Sequence, residues 1–225
     1  MKQAVILLSG GLDSSTVLAL AQSQGFSISA LTVFYGQRNH VELSAAKKIV
    51  KHFNIANHKI IELDLGLIGG SSLTDKIRVK SHQEQDDNII PDTYVPARNT
   101  IMLSLALAYA EVQGAYDIFF GANIHDYSGY PDCRPAYIKA FQNMANLATK
   151  SSVEGHSIGI HAPLVNKSKA EIIKLGLSLG IDYSMTHSCY DPKGNRACGQ
   201  CSACFYRQKG FADAQVADPT VYNEV

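Results

Sequence analysis

The chain carries no surplus charge: lysine plus arginine and aspartate plus glutamate number 20 each, for a formal net charge of zero. Proteins that work by gripping phosphate backbones usually show a basic excess, so a small-molecule substrate is expected here and nucleic acid is not. Long apolar runs are missing as well. None approaches the roughly 20 residues of a membrane span, and no membrane association is expected. Met1-Lys2-Gln3 leads straight into an apolar strand with nothing resembling a signal peptide, so a cytoplasmic location is expected. The five cysteines are odd in number and four of them crowd together near the C-terminus, which reads as a metal site more readily than a disulfide framework. No internal repeat is visible. The length of 225 residues suits one domain, or one domain with a small appendage.

What is present begins at once. The run Ala4-Val5-Ile6-Leu7-Leu8 has no polar alternation, which marks a strand buried on both faces of a sheet. It breaks into Ser9-Gly10-Gly11-Leu12-Asp13-Ser14. The glycines permit a tight turn and a close approach of backbone to a ligand, and Asp13 and Ser14 are expected to cap a helix over Ser15 to Gln22. A helix mouth of this kind offers free N–H groups to a phosphate. No lysine follows the glycines as in GxxxxGK[ST], and the pattern is not GxGxxG. A plain structural turn is the competing reading.

Further strands are predicted at Ile28–Phe34, Lys59–Leu63, Ile118–Gly121 and Ile158–Ala162. Helical spacing runs through Leu43, Ala46, Val50 and Phe53, through Ile101, Leu105, Ala108 and Val112, and over Pro135–Ala148. Ser168-Lys169-Ala170-Glu171 reads as a capping box opening a further helix that Gly180 ends. Alternating strands and helices predict an α/β fold, a doubly wound parallel five-stranded sheet of Rossmann-like type, with ligands at the carboxyl ends of the strands. Residues 66–95 read as a long loop or mobile insertion. The last forty or so residues lose periodicity.

Cys189, Cys198, Cys201 and Cys204 follow C-x8-C-x2-C-x2-C. Such spacing brings four thiolates to one ion in a closed structural site, and zinc is expected. An iron–sulfur cluster is the rival; nothing else in the chain asks for redox chemistry. Cys133 stands apart and reads as a packed residue rather than a nucleophile.

Two polar segments lie beside the proposed phosphate loop: Tyr94-Val95-Pro96-Ala97-Arg98-Asn99 before the third long helix, and His125 to Pro135 after the fourth strand. With Ser9–Ser14, Tyr35-Gly36-Gln37-Arg38 and the cysteines, they occur in the order and spacing of the QueC family, the 7-cyano-7-deazaguanine synthases within the PP-loop ATP pyrophosphatases. The resemblance runs from residue 4 to about residue 211. Ala97, where glycine is expected, and His187, where tryptophan is expected, depart from the pattern.

The resemblance implies an adenine nucleotide alpha hydrolase-like domain over residues 1–183 and a zinc-binding segment over 184–225 packed on it. It implies an ATP-dependent ligase that joins 7-carboxy-7-deazaguanine and ammonia into the nitrile through two adenylations and an amide, with Mg²⁺ accompanying ATP. Nucleotide contacts would come from Leu8-Ser9-Gly10-Gly11-Leu12-Asp13-Ser14-Ser15-Thr16-Val17-Leu18. Asp13, Arg98 and Lys169 would be catalytic, Lys169 and Arg98 by neutralising charge on the α-phosphate. Arg38, Asn99, Asp126, Ser128, Tyr130, Asp132 and Arg134 would surround the deazaguanine, Asp132 at its N–H edge and Tyr130 by stacking. A homodimer is also implied. The alternatives are a PP-loop sulfur transferase acting on tRNA, which would need a catalytic cysteine pair or sulfur donor site and a basic RNA-binding surface, and a zinc-containing nucleic-acid binding module.

Overall fold

The structure, a computed structural model, describes residues 2–37, 40–75, 77–86, 89–123 and 130–223. Strands β1 (Gln3–Leu7), β2 (Ser27–Phe34), β3 (Asn57–Glu62), β4 (Asp117–Phe119) and β5 (Gly159–His161) form one sheet in the order β3-β2-β1-β4-β5. Every pairing is parallel, with Val5 opposite Ser29 on one side and Ile118 on the other. Helices α1 (Leu12–Ser23), α2 (Val41–His52), α3 (Arg98–Gln113), α4 (Pro135–Ala148), the single turn α5 (Lys150–Val153), α6 (Lys169–Ser178) and α7 (Ser202–Ala214) accompany it. The expected fold class is the observed one.

The pleat explains why both faces are covered. Successive side chains of β1 point in opposite directions, so Val5 joins Leu103, Ala106, Ile138 and Phe141 of α3 and α4 in one buried cluster. Ile6 joins Leu18, Ile49, Ile172 and Phe211 of α1, α2, α6 and α7 in the other. Strand order reverses at β1, whose neighbours β2 and β4 lie on opposite sides. A crevice therefore opens at the carboxyl ends of β1 and β4, the usual ligand position in such sheets.

The structure corrects two local expectations and refines a third. Helix α1 starts at Leu12 with Gly11 as its N-cap and no side-chain cap bond, so Asp13 and Ser14 sit in its first turn. The long stretch after β3 is irregular among its described residues apart from two short 3₁₀ turns. It is nevertheless pinned down, for Leu73, Val79 and Val95 are buried in the α3-side core. The C-terminal part, aperiodic in sequence, contains the 13-residue helix α7. Its buried face includes Ser202, Cys204, Arg207 and Gly210 as well as Phe211, which hides the apolar stripe that periodicity depends on. By contrast, α4 spans the predicted Pro135–Ala148, and the Ser168–Glu171 capping box is formed at both hydrogen bonds. No helix among the described residues is long and apolar enough to cross a membrane.

Candidate active site

The chain between β1 and α1 folds onto its own hydroxyls. Ser9 N–H donates to Ser14 Oγ at 3.2 Å and Gly11 N–H to Ser9 Oγ at 3.2 Å. The Ser14 and Ser15 hydroxyls donate back to the Gly11 carbonyl at 3.2 and 2.8 Å. Gly10 has φ +84°, and a Cβ there would stand 2.5 Å from the backbone of Glu42 and Ala46. Only glycine satisfies both the left-handed turn and that contact. The first-turn N–H groups of α1 have no intrahelical acceptor, and those of Leu12, Asp13 and Ser14 stay unengaged within the described chain. Gly121, just past β4, keeps the space beside them open, because its Cβ would lie 3.0 Å from Ser14 N.

These groups face a cavity of about 250 Å³. It is lined by Leu31–Phe34 at the end of β2, by Tyr35 just beyond it, and by Arg98, Asn99, Tyr130 and Cys133. Ser9, Gly11, Leu12, Asp13, Ser14 and Lys169 also line it. Lys169 Nζ donates to both Asp13 oxygens, at 2.8 and 2.9 Å, across 156 residues of chain. Asp13 thus neutralises a lysine at the loop rather than capping the helix. Arg98 lies in the wall, 3.3 Å from the Tyr35 hydroxyl, with its guanidinium 5.5 Å from the centre of that ring. Among the described residues Arg98 makes no ion pair. The site therefore places a guanidinium and, among the described residues, several backbone N–H groups without a protein acceptor around one cavity.

Burial tunes the remaining polar groups. It raises the Glu42 carboxyl from its ordinary 4.5 to about 7, against the opposing pull of Arg98 and of the Gln37 amide, 3.3 Å away. It lifts the Tyr35 phenol to about 12 and the Cys133 thiol to about 11. Cys133, which also accepts from Asn99 Nδ2 at 3.3 Å, is a neutral, packed thiol near pH 7 rather than a ready nucleophile.

Other expected site residues are placed differently. Asp132 is 5 % exposed and accepts from Asn99 N–H at 3.0 Å, so its carboxylate serves the N-terminus of α3. Neither Asp132 nor Arg134 lines the cavity, whereas Tyr130 does. Ser15, Thr16, Val17 and Leu18 are buried inside α1, with Thr16 Oγ1 2.8 Å from the Tyr183 hydroxyl; they support the loop from behind. Arg38, Asp126 and Ser128 lie outside the described residues. Sequence reasoning missed Glu42, His187, Ser188, Tyr190, Tyr206 and Arg207, all of which line the cavity. Glu42 sits one turn beyond the noted Tyr35–Arg38 segment. The last five stand beside the cysteines, where spacing spoke only of metal.

The four cysteines come together. Their sulfurs lie within 4.8 Å of one another, with Cys198 Sγ 3.9 Å from Cys204 Sγ. A tetrahedron of sulfurs about 2.3 Å from one ion has edges of about 3.8 Å, so the set fits a single metal ion. Backbone N–H groups of Cys198 and Cys201 donate to the sulfurs of Cys189 and Cys198 at 3.1 and 3.3 Å, which favours thiolates.

Comparison with known proteins agrees with this geometry. Residues 3–215 match the model of the queuosine biosynthesis protein QueC. The chain belongs to the QueC family. Two relatives named 7-cyano-7-deazaguanine synthase illustrate how close that membership is. The protein from Dechloromonas aromatica is 60% identical, covering 99% of both chains. That from Coxiella burnetii is 58% identical, covering 99% of this chain and 98% of its own. At the level of fold alone, the solved NMN synthetase of Francisella tularensis is 16% identical with a TM-score of 0.50, over 95% of this chain and 87% of that one. Ala97, at a position where a QueC member was expected to carry glycine, holds φ +53° as the N-cap of α3. The backbone there takes the conformation glycine favours, although the side chain is alanine.

Proposed function

We propose that this chain is an ATP-dependent ligase converting 7-carboxy-7-deazaguanine and ammonia to 7-cyano-7-deazaguanine. The observation that carries the reading is the near-full-length identity of 58–60% to 7-cyano-7-deazaguanine synthases. The cavity supplies the chemical support. A carboxylate is a poor electrophile because it would have to expel oxide. Its oxygen attacks the α-phosphorus of ATP, the bond to the β-phosphate breaks, and pyrophosphate leaves. Ammonia then adds to the acyl carbon, loses a proton, and AMP departs with the carboxyl oxygen to leave the amide. The amide oxygen attacks the α-phosphorus of a second ATP and pyrophosphate leaves; the O-adenylated amide then loses both protons from nitrogen, and AMP departs with the oxygen to form the nitrile.

In this reading the N–H groups of Leu12, Asp13 and Ser14 receive the pyrophosphate. Lys169, held by Asp13, and Arg98 in the opposite wall stabilise negative charge developing between them. Tyr130, in the cavity lining, offers an aromatic face to the deazaguanine. A magnesium ion arriving with the phosphates could share Asp13 with Lys169, since a carboxylate keeps acceptor sites beyond the two contacts Lys169 makes. Zinc is the ion proposed for Cys189, Cys198, Cys201 and Cys204. A closed four-thiolate site supplies cohesion and leaves no open position for a substrate. With these go a cytoplasmic location and a homodimer, both carried by family resemblance.

A sulfur transferase working through a catalytic cysteine pair finds no support in Cys133, a lone thiol outside the four-sulfur group that burial raises to about 11. AMP and pyrophosphate formation, measured with 7-carboxy-7-deazaguanine and ammonia in turn, tests the reading. Both should be required for the nitrile. An absence of substrate-stimulated AMP would overturn the ligase reading, and stimulation by tRNA instead would favour the transferase.

A further inference from the structure

The residues Thr186 to Tyr190 form a strap, without helix or strand, between the phosphate loop and the cysteine cluster. Its His187 N–H donates to the Gly10 carbonyl at 3.0 Å. A Cβ on Gly11 would come within 3.5 Å of the His187 carbonyl. Ser188 and Tyr190 line the cavity, while Cys189 between them belongs to the four-sulfur group. The strap thus braces one side of the loop.

What fixes the strap is an arginine of α7. Arg207 is 2% exposed, and its guanidinium donates to Thr186 Oγ1 at 2.8 Å, Ser188 Oγ at 3.4 Å and the Tyr183 carbonyl at 3.0 Å. Its Nε donates to Asp218 Oδ1 at 3.1 Å. Asp218 is itself set by the Tyr222 hydroxyl at 2.6 Å and the Thr220 N–H at 3.0 Å. The Phe211 ring lies beneath the guanidinium, 5.2 Å from its centre. A buried charge is tolerated only when its donors are satisfied, and here three of the four bonds reach the strap or the turn leading into it. An apolar side chain could fill the volume but could not orient two hydroxyls and a carbonyl at once.

We propose that Arg207, locked by Asp218, is a positioning residue for the ATP phosphates. It holds Thr186 and Ser188 so that His187 keeps Gly10 in place, and it joins the cysteine-bearing C-terminal element to nucleotide affinity. The inference rests on the proposed ATP use. Because coupling is reciprocal, nucleotide should also protect the metal.

The test uses the full metal-loaded protein with Arg207→Lys and Asp218→Asn. Lysine keeps the charge but loses the fork that reaches several acceptors at once. Direct calorimetric titration with ATP, in the absence of deazaguanine, should show affinity weakened by about fivefold or more in Arg207→Lys and less in Asp218→Asn. Metal content should stay at the wild-type level. In turnover, KM for ATP should rise while kcat at saturating ATP changes by less than about twofold. Wild-type ATP affinity in a metal-loaded variant would overturn the proposal, as would a loss confined to kcat. Should both variants fail to fold, the wild-type protein decides: ATP should slow extraction of the metal by a chelator several-fold, and an unchanged rate would refute the coupling. Normal ATP binding without substrate-dependent AMP would instead point to failure of the ligase reading.

Discussion

Replacing Glu42 by glutamine should make the ligand-free protein more stable above neutral pH, and the gain should shrink as the solution is acidified. Burial raises the Glu42 carboxyl from 4.5 to about 7. A carboxyl with a folded pKa above its unfolded one binds more protons when folded across that window. Its favourable, neutral state is fully present below about pH 4.5 and is lost as pH rises through 7. One pKa unit corresponds to about 1.36 kcal/mol, so the whole shift sets a ceiling of about 3 kcal/mol. Glu42 is half-buried and keeps some contact with water at the cavity, which reduces the expected cost to about 1–2 kcal/mol. Between pH 5.5 and pH 8 the advantage of Glu42→Gln should widen by about 1 kcal/mol, or roughly 2–4 °C in Tm for a chain of this size. Calorimetric scans of both proteins with metal bound measure it, in a range mild enough to retain the ion. A constant difference would refute the reasoning, and wild-type superiority at pH 8 would mean that Arg98 outweighs burial.

Further outcomes are expected elsewhere in the molecule. Asp13→Asn removes the charge facing Lys169, whose side chain is only 11% exposed; steady-state turnover should fall at least about 100-fold with metal content intact, and near-normal turnover would dismiss the pair. Cys201→Ser, altering a sulfur on a residue 2% exposed, should lose metal and soluble yield together, and metal-loaded, fully active protein would refute a structural role. Ala97→Gly relieves a left-handed alanine at φ +53°; after the added chain entropy of glycine a net gain of about 0.5–1 kcal/mol is expected, checked by Tm, with a lower Tm as the contrary result.

Much of the fold was legible because its signals are local. The unbroken apolar run of β1, the capping box at Ser168 and the amphipathic stretch at Pro135–Ala148 each announce an element within a few residues. Helix α7 escaped because its buried side includes an arginine, a serine and a cysteine that tertiary partners satisfy. Asp132 was legible as a polar residue near the site, but its use was not: Asn99 N–H, 33 residues earlier in the chain, claims the carboxylate.

The sequence by itself determined that a glycine turn leads from the first strand into a helix mouth, that four cysteines are spaced to share one ion, and that the sheet is parallel. Each depends on residues near one another along the chain, where backbone propensity and short spacing decide the geometry. Only the tertiary structure decided that Asp13 serves Lys169, that Arg98 faces the cavity without an ion partner among the described residues, and that Arg207 grips the strap over Gly10. Those pairings join segments brought together by strand order and helix crossing. Their energies come from burial and charge compensation that no local pattern encodes.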